Sequence, residues 1–70
     1  MWNIVKIENG IETEDYGTIQ ATNIRSLVKI LRERFGVSDF KYEADTHTKG
    51  VYYIYTDTNP NVHLMASKWN

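Results

Sequence analysis

The sequence predicts an α+β fold: a small antiparallel sheet, in ββαββ order with a C-terminal strand or short helix added, packed on one central helix. Three observations predict it. A single stretch, "ATNIRSLVKILRERFG", carries apolar residues at helical spacing. An Asn9-Gly10 pair near the start signals a two-residue hairpin. Two runs bearing aromatic residues, "FKYEAD" and the tyrosine-rich "VYYIYTD", have the composition and period of strands and are separated by the turn-like "HTKG". At 70 residues the chain reads as one domain, residues 1–70, with a small core, because a chain of this size buries only about 60% of its unfolded surface.

The first hairpin joins "WNIVKIE" to "IETEDYGTI". Both central positions of a type I′ turn need positive φ, which Asn and Gly tolerate. The regular register of such a turn sets Ile7 opposite Glu12, Val5 opposite Glu14 and Ile4 opposite Asp15, which gives no clean apolar face. The sequence therefore predicts the hairpin and leaves its register open. In one reading, residues 8–15 form an acidic tip and the second strand shrinks to about 16–20.

The helix is expected over residues 23–35. Ile24, Leu27, Val28, Leu31 and Phe35 follow the i, i+3, i+4, i+7, i+11 pattern of one face, and Ile30 widens it. Arg25, Lys29 and Arg32 line the polar side. Thr22 or Asn23 supplies an N-terminal cap, and Gly36 suits the left-handed residue that ends a helix.

In the next strand Phe40, Tyr42 and Ala44 alternate with Lys41, Glu43 and Asp45. A four-residue loop at 47–50 would put Val51, Tyr53 and Tyr55 on the face of Phe40 and Tyr42, with Tyr52 and Ile54 beside Lys41 and Glu43. A loop one residue different reverses this. Either way, large side chains stand on the face turned from the helix. The segment after Asn59-Pro60-Asn61 fits two templates. As a strand it aligns Val62, Leu64 and Ala66; as a helix capped by Asn59 it aligns Val62, Met65, Ala66 and Trp69.

Composition narrows the function classes. The net charge of −1 offers no bulk attraction to nucleic acid. It is unevenly laid out, at −3 over residues 1–20 and +3 over residues 21–36. There is no cysteine, so disulfides and thiolate metal sites are excluded and a reducing cytoplasm is expected. No apolar run approaches the length of a membrane span, and the start lacks the pattern of a signal peptide. The chain reads as complete and cytoplasmic.

No catalytic chemistry is expected. Ser26, Ser38 and Ser67 sit in no nucleophile motif, and the carboxylates Glu8, Glu12, Glu14 and Asp15 belong to a turn-rich tip without a pocket to shift their pKa. The glycines are isolated, so no phosphate-cradling loop is present. Asp45, His47, Asp57 and His63 include metal-ligating types but none of the compact ligand spacings, so neither a metal nor a cofactor is expected.

Binding remains. Tyrosines on a sheet face stack on the bases of single-stranded nucleic acid, with Lys41 or Lys49 meeting phosphates, but Glu43, Asp45 and Asp57 flank them. The same residues suit a protein partner better, because tyrosine anchors interfaces and acidic surroundings favour a basic surface. Tyr52, Lys41 and Glu43 are the candidate contacts, with Tyr53 and Tyr55 turned inward; Glu12, Glu14 and Asp15 form an alternative contact surface for a basic partner. The expectation is a small non-enzymatic interaction module that binds and inhibits or modulates a larger cellular protein, as accessory proteins of phages and mobile elements of this size do. A homodimer is expected if the C-terminal segment is a strand that leaves the second sheet face open.

Overall fold

The computed structural model describes residues 1–35, 40–56 and 61–69. Along the chain run β1 (Trp2–Glu8), β2 (Ile11–Ile19), α1 (Ile24–Phe35), β3 (Phe40–Ala44), β4 (Val51–Thr56) and β5 (Val62–Lys68). All five strands belong to one antiparallel sheet in the order β2-β1-β5-β4-β3. This corrects the expectation of a small sheet packed on a central helix. The sheet is the body of the fold, and α1, 12 residues long, is a short element on one of its faces. The ββαββ order holds, followed by a strand.

That last strand explains the correction. β5 lies in the middle of the sheet and pairs along its length with β1 on one side and β4 on the other. It joins two hairpins that would otherwise be separate. Leu64 and Ala66 are buried on one face at strand period, whereas Trp69, which the helical template would have aligned with Ala66, is 62% exposed. Pairing on both edges satisfies the backbone of β5 in a way that a ten-residue terminal helix does not. The proposed turn at Asn59-Pro60 and the Gly36 cap lie outside the described residues.

The first hairpin turns at Asn9 and Gly10, with φ of 53° and 81°. The regular register survives only for Glu8 with Ile11 and Ile7 with Glu12. Two irregularities then reset it, pairing Lys6 with Glu14, Val5 with Asp15 and Ile4 with Gly17, until Ile19 meets Trp2. Each bulge adds one residue to β2, and together they bring Ile19 opposite Trp2, while Ile7 and Val5 still face Glu12 and Asp15. β2 accordingly extends over Ile11–Ile19 rather than shrinking to about 16–20. Gly17 takes φ of 78° at the second bulge, and its N–H donates to Asp15 Oδ1 at 2.9 Å.

α1 begins where Asn23 caps it: the Ser26 amide donates to Asn23 Oδ1 at 2.9 Å and the Leu27 amide to the Asn23 carbonyl at 3.0 Å. Leu27, Val28 and Leu31 are buried against Trp2, Ile4, Ile19, Ile54, Leu64 and Ala66, with Ile24, Ile30, Tyr16 and Tyr52 packed around them. The Trp2 indole N–H donates to the Ala21 carbonyl at 3.1 Å, tying the approach to the helix onto β1. Phe35 ends the apolar stripe half-covered, edge-on to Tyr16 with ring centroids 5.2 Å apart.

Candidate functional site

The β3–β4 connection decides which tyrosines are available. The Asp45 N–H bonds the Val51 carbonyl at 2.9 Å, and Ala44 pairs with Tyr52, Tyr42 with Ile54 and Lys41 with Tyr55. Asp45 organises the turn itself, because its Oδ2 accepts from the amides of His47 at 3.0 Å and Thr48 at 2.7 Å. The expected face assignment is therefore reversed. Tyr52 and Ile54 lie on the helix side, and Tyr53 and Tyr55 lie on the open side, because a one-residue shift exchanges every side chain of a strand between faces.

On the open face, cross-strand pairing aligns Val5, Met65, Tyr53 and Glu43 in one row and Ile7, His63, Tyr55 and Lys41 in the next. No described element packs over these rows. Val5 is only 3% exposed, closed in by its neighbours, while Ile7, Tyr53, Tyr55, His63 and Met65 are half-buried. His63 sits between two rings, with centroids 5.7 Å from Tyr53 and 5.2 Å from Tyr55. The result is a continuous aromatic and aliphatic surface.

Its hydroxyls are held by acids. Tyr53 donates to Asp45 Oδ1 at 2.8 Å and Tyr55 to Glu43 Oε1 at 3.0 Å. The Tyr53 bond, with those from the His47 and Thr48 amides, holds the Asp45 carboxyl below the usual aspartate range. The same bond raises the Tyr53 phenol, while burial foremost, and then Glu43, raises that of Tyr55. These contacts hold the two rings in place on the open face.

Of the residues singled out from the sequence, Lys41 and Glu43 belong to the open face, and the register pairs Glu12 with Ile7 and Asp15 with Val5 at its β2 margin. Tyr52 and Glu14 are brought elsewhere. Tyr52 packs on Trp2, with centroids 5.7 Å apart, on the helix side. Glu14 pairs with Lys6 and accepts the Tyr16 hydroxyl. Tyr53, Tyr55, His63 and Met65 were not singled out as contacts. The alternation of "VHLMASK" carries the signal for His63 and Met65, since apolar Leu64 and Ala66 claim the opposite face, but only once the segment is read as a strand.

Comparison with known protein families, with curated proteins and with solved structures yields no match to this chain. The site therefore stands on its own geometry. Among the described residues no group of three or more His, Asp or Glu side chains is arranged to hold a metal ion, and Asp57, one of the four residues considered for that role, lies outside them. No described helix is long and apolar enough to cross a membrane.

Proposed function

We propose that this chain is a small non-enzymatic interaction module that binds, and thereby inhibits or modulates, a larger protein through the open face of its sheet. The observation that carries the reading is the pair Tyr53 and Tyr55, presented around His63 with their hydroxyls fixed by Asp45 and Glu43. Rigid, half-exposed aromatic rings with an acidic margin match the way interface anchors work, and the margin of Glu12, Asp15 and Glu43 favours a partner with a basic surface. The same margin repels phosphate backbones, which disfavours stacking of single-stranded nucleic acid on these tyrosines. The cysteine-free composition suits a reducing cytoplasm.

The test compares capture of proteins from a lysate by the wild-type chain and by a Tyr55→Ala, Met65→Ala variant whose fold is verified by circular dichroism. A protein retained by the wild type and lost with the variant is the expected result. Equal recovery by both, or tight binding of single-stranded oligonucleotides with no protein recovered, overturns the reading.

A further inference from the structure

On the helix side, at the end of the sheet where α1 begins, lies a groove of about 430 Å³ lined by Trp2, Tyr52, Ile24, Asn23, Lys49 and Lys68. It is remote in character from the open face. Its charge is uniformly positive: both lysines are exposed, and no Asp or Glu side chain lines it. Neither ammonium has a carboxylate partner among the described residues. The first turn of α1 contains no acidic residue, so no formal negative charge there offsets the positive end of the helix dipole.

The groove is built by contacts between distant parts of the chain. Gly50, at φ of 78°, lets the β3–β4 connection press against β5, where the Lys68 amide donates to the Gly50 carbonyl at 2.7 Å. A Cβ at Gly50 would stand 3.3 Å from the Lys68 Cβ. This close approach brings Lys49 and Lys68 to the same groove, with the Lys68 ammonium 5.8 Å from the centroid of the Trp2 ring. Tyr52 adds a donor. Its hydroxyl has no hydrogen-bond partner among the described residues, whereas those of Tyr16, Tyr53 and Tyr55 each donate to a carboxylate.

We propose that this groove binds a small organic phosphate monoester. Two lysines with no carboxylate partner among the described residues match a dianion, and a phosphate monoester carries a charge of about −1.5 to −2 at neutral pH, where a carboxylate carries one. The volume falls within the roughly 300–1,000 Å³ of small-molecule sites, which leaves room for an organic body beyond the phosphate. Lys49 and Lys68 hold the phosphate, the Tyr52 hydroxyl donates to it, and the body lies along the half-buried Tyr52 ring and Ile24. The proposal is independent of the protein-binding reading, since it uses the other face of the sheet.

Trp2 forms the floor of the groove and reports on it. In the full chain carrying Trp69→Phe, which leaves Trp2 as the sole indole, adenosine monophosphate, inorganic phosphate and adenosine are titrated while Trp2 fluorescence and heat are followed. Saturable binding is expected for the monophosphate, weaker binding for inorganic phosphate, and none for adenosine. Lys49→Ala with Lys68→Ala should raise the monophosphate Kd by about 10-fold or more, with the fold retained by circular dichroism, and Lys→Arg at both sites should restore binding. Absence of saturable binding at millimolar monophosphate, an unchanged Kd in the alanine variant, or adenosine binding as tightly as the monophosphate overturns the proposal. Inorganic phosphate binding as tightly as the monophosphate overturns the assignment of an organic body. Protein capture by the same alanine variant should equal that of the wild type, so that the two readings fail separately.

Discussion

On the helix side of the sheet, Ile4, Ile54 and Ala66 are fully covered beneath Leu27, Val28 and Leu31. On the other side, Tyr53, Tyr55, His63 and Met65 stay half-buried with no described element above them. The same strands supply both surfaces, and adjacent residues of β4 and β5 point to opposite sides. The difference lies in what completes each side chain's surroundings. A single 12-residue helix has one apolar stripe and closes one face. The uncovered face meets its polar needs by pairing tyrosine hydroxyls with carboxylates. One face therefore carries most of the core, and the other is the face to which the proposed recognition is assigned.

The largest effect should come from breaking the strand on which both faces depend. Leu64→Pro removes a backbone donor and forces the proline ring into the central strand, so the chain should fail to fold, read as loss of the strand signal in far-ultraviolet circular dichroism. Persistence of a cooperative unfolding transition would show that the two hairpins hold together without β5. Next is the covered face: Leu27→Ala, at a position with no solvent exposure, should cost about 3 kcal/mol in denaturant unfolding.

The tyrosine pair sharpens the contrast directly. Tyr52→Ala should cost about 2 kcal/mol of stability, because its ring packs on Trp2. Tyr53→Ala should cost less than about 1 kcal/mol and should weaken partner binding instead. Equal costs in equilibrium unfolding would mean that the open face is also core, buried by something that the described residues do not include. A second copy of the chain is one such cover, and light scattering across a concentration series should show dimers whose dissociation is promoted by Tyr55→Ala.

The smallest effect is on pH dependence. Asp45 titrates low in the folded chain, so the folded state binds fewer protons than the unfolded one. Its contribution is present above the ordinary aspartate pKa of about 3.9 and is lost as pH falls through the folded value. For Tyr53, whose phenol is raised by the same bond, the contribution is present below the ordinary pKa of about 10 and is lost as pH rises through the folded value. Tyr53→Phe should therefore raise the Asp45 pKa measured by carboxyl-carbon NMR and flatten both the acid and alkaline limbs of the stability profile. An unmoved Asp45 titration would assign its low pKa to the His47 and Thr48 amides alone.

By itself the sequence determined the elements whose signals are local. The helix stripe from Ile24 to Leu31, its cap and the turn at Asn9-Gly10 all depend on residues within a few positions of one another; the stripe and the turn are found where they were expected, and of the two expected caps, Thr22 and Asn23, it is Asn23 that holds the Ser26 amide. The tertiary structure alone decided the rest. Whether residues 62–68 become helix or strand depends on two hairpin edges, β4 just before them and β1 at the other end of the chain, that need the same central partner. Which tyrosines face out depends on the Asp45 turn, since a shift of one residue in a strand inverts both faces while leaving its alternation unchanged. The bulges of β2 are likewise chosen by the meeting of Ile19 with Trp2 in the core rather than by the turn that starts the hairpin. Local propensity is carried by neighbours along the chain, but the register of a sheet is set by packing between strands, and the site on its open face inherits that dependence.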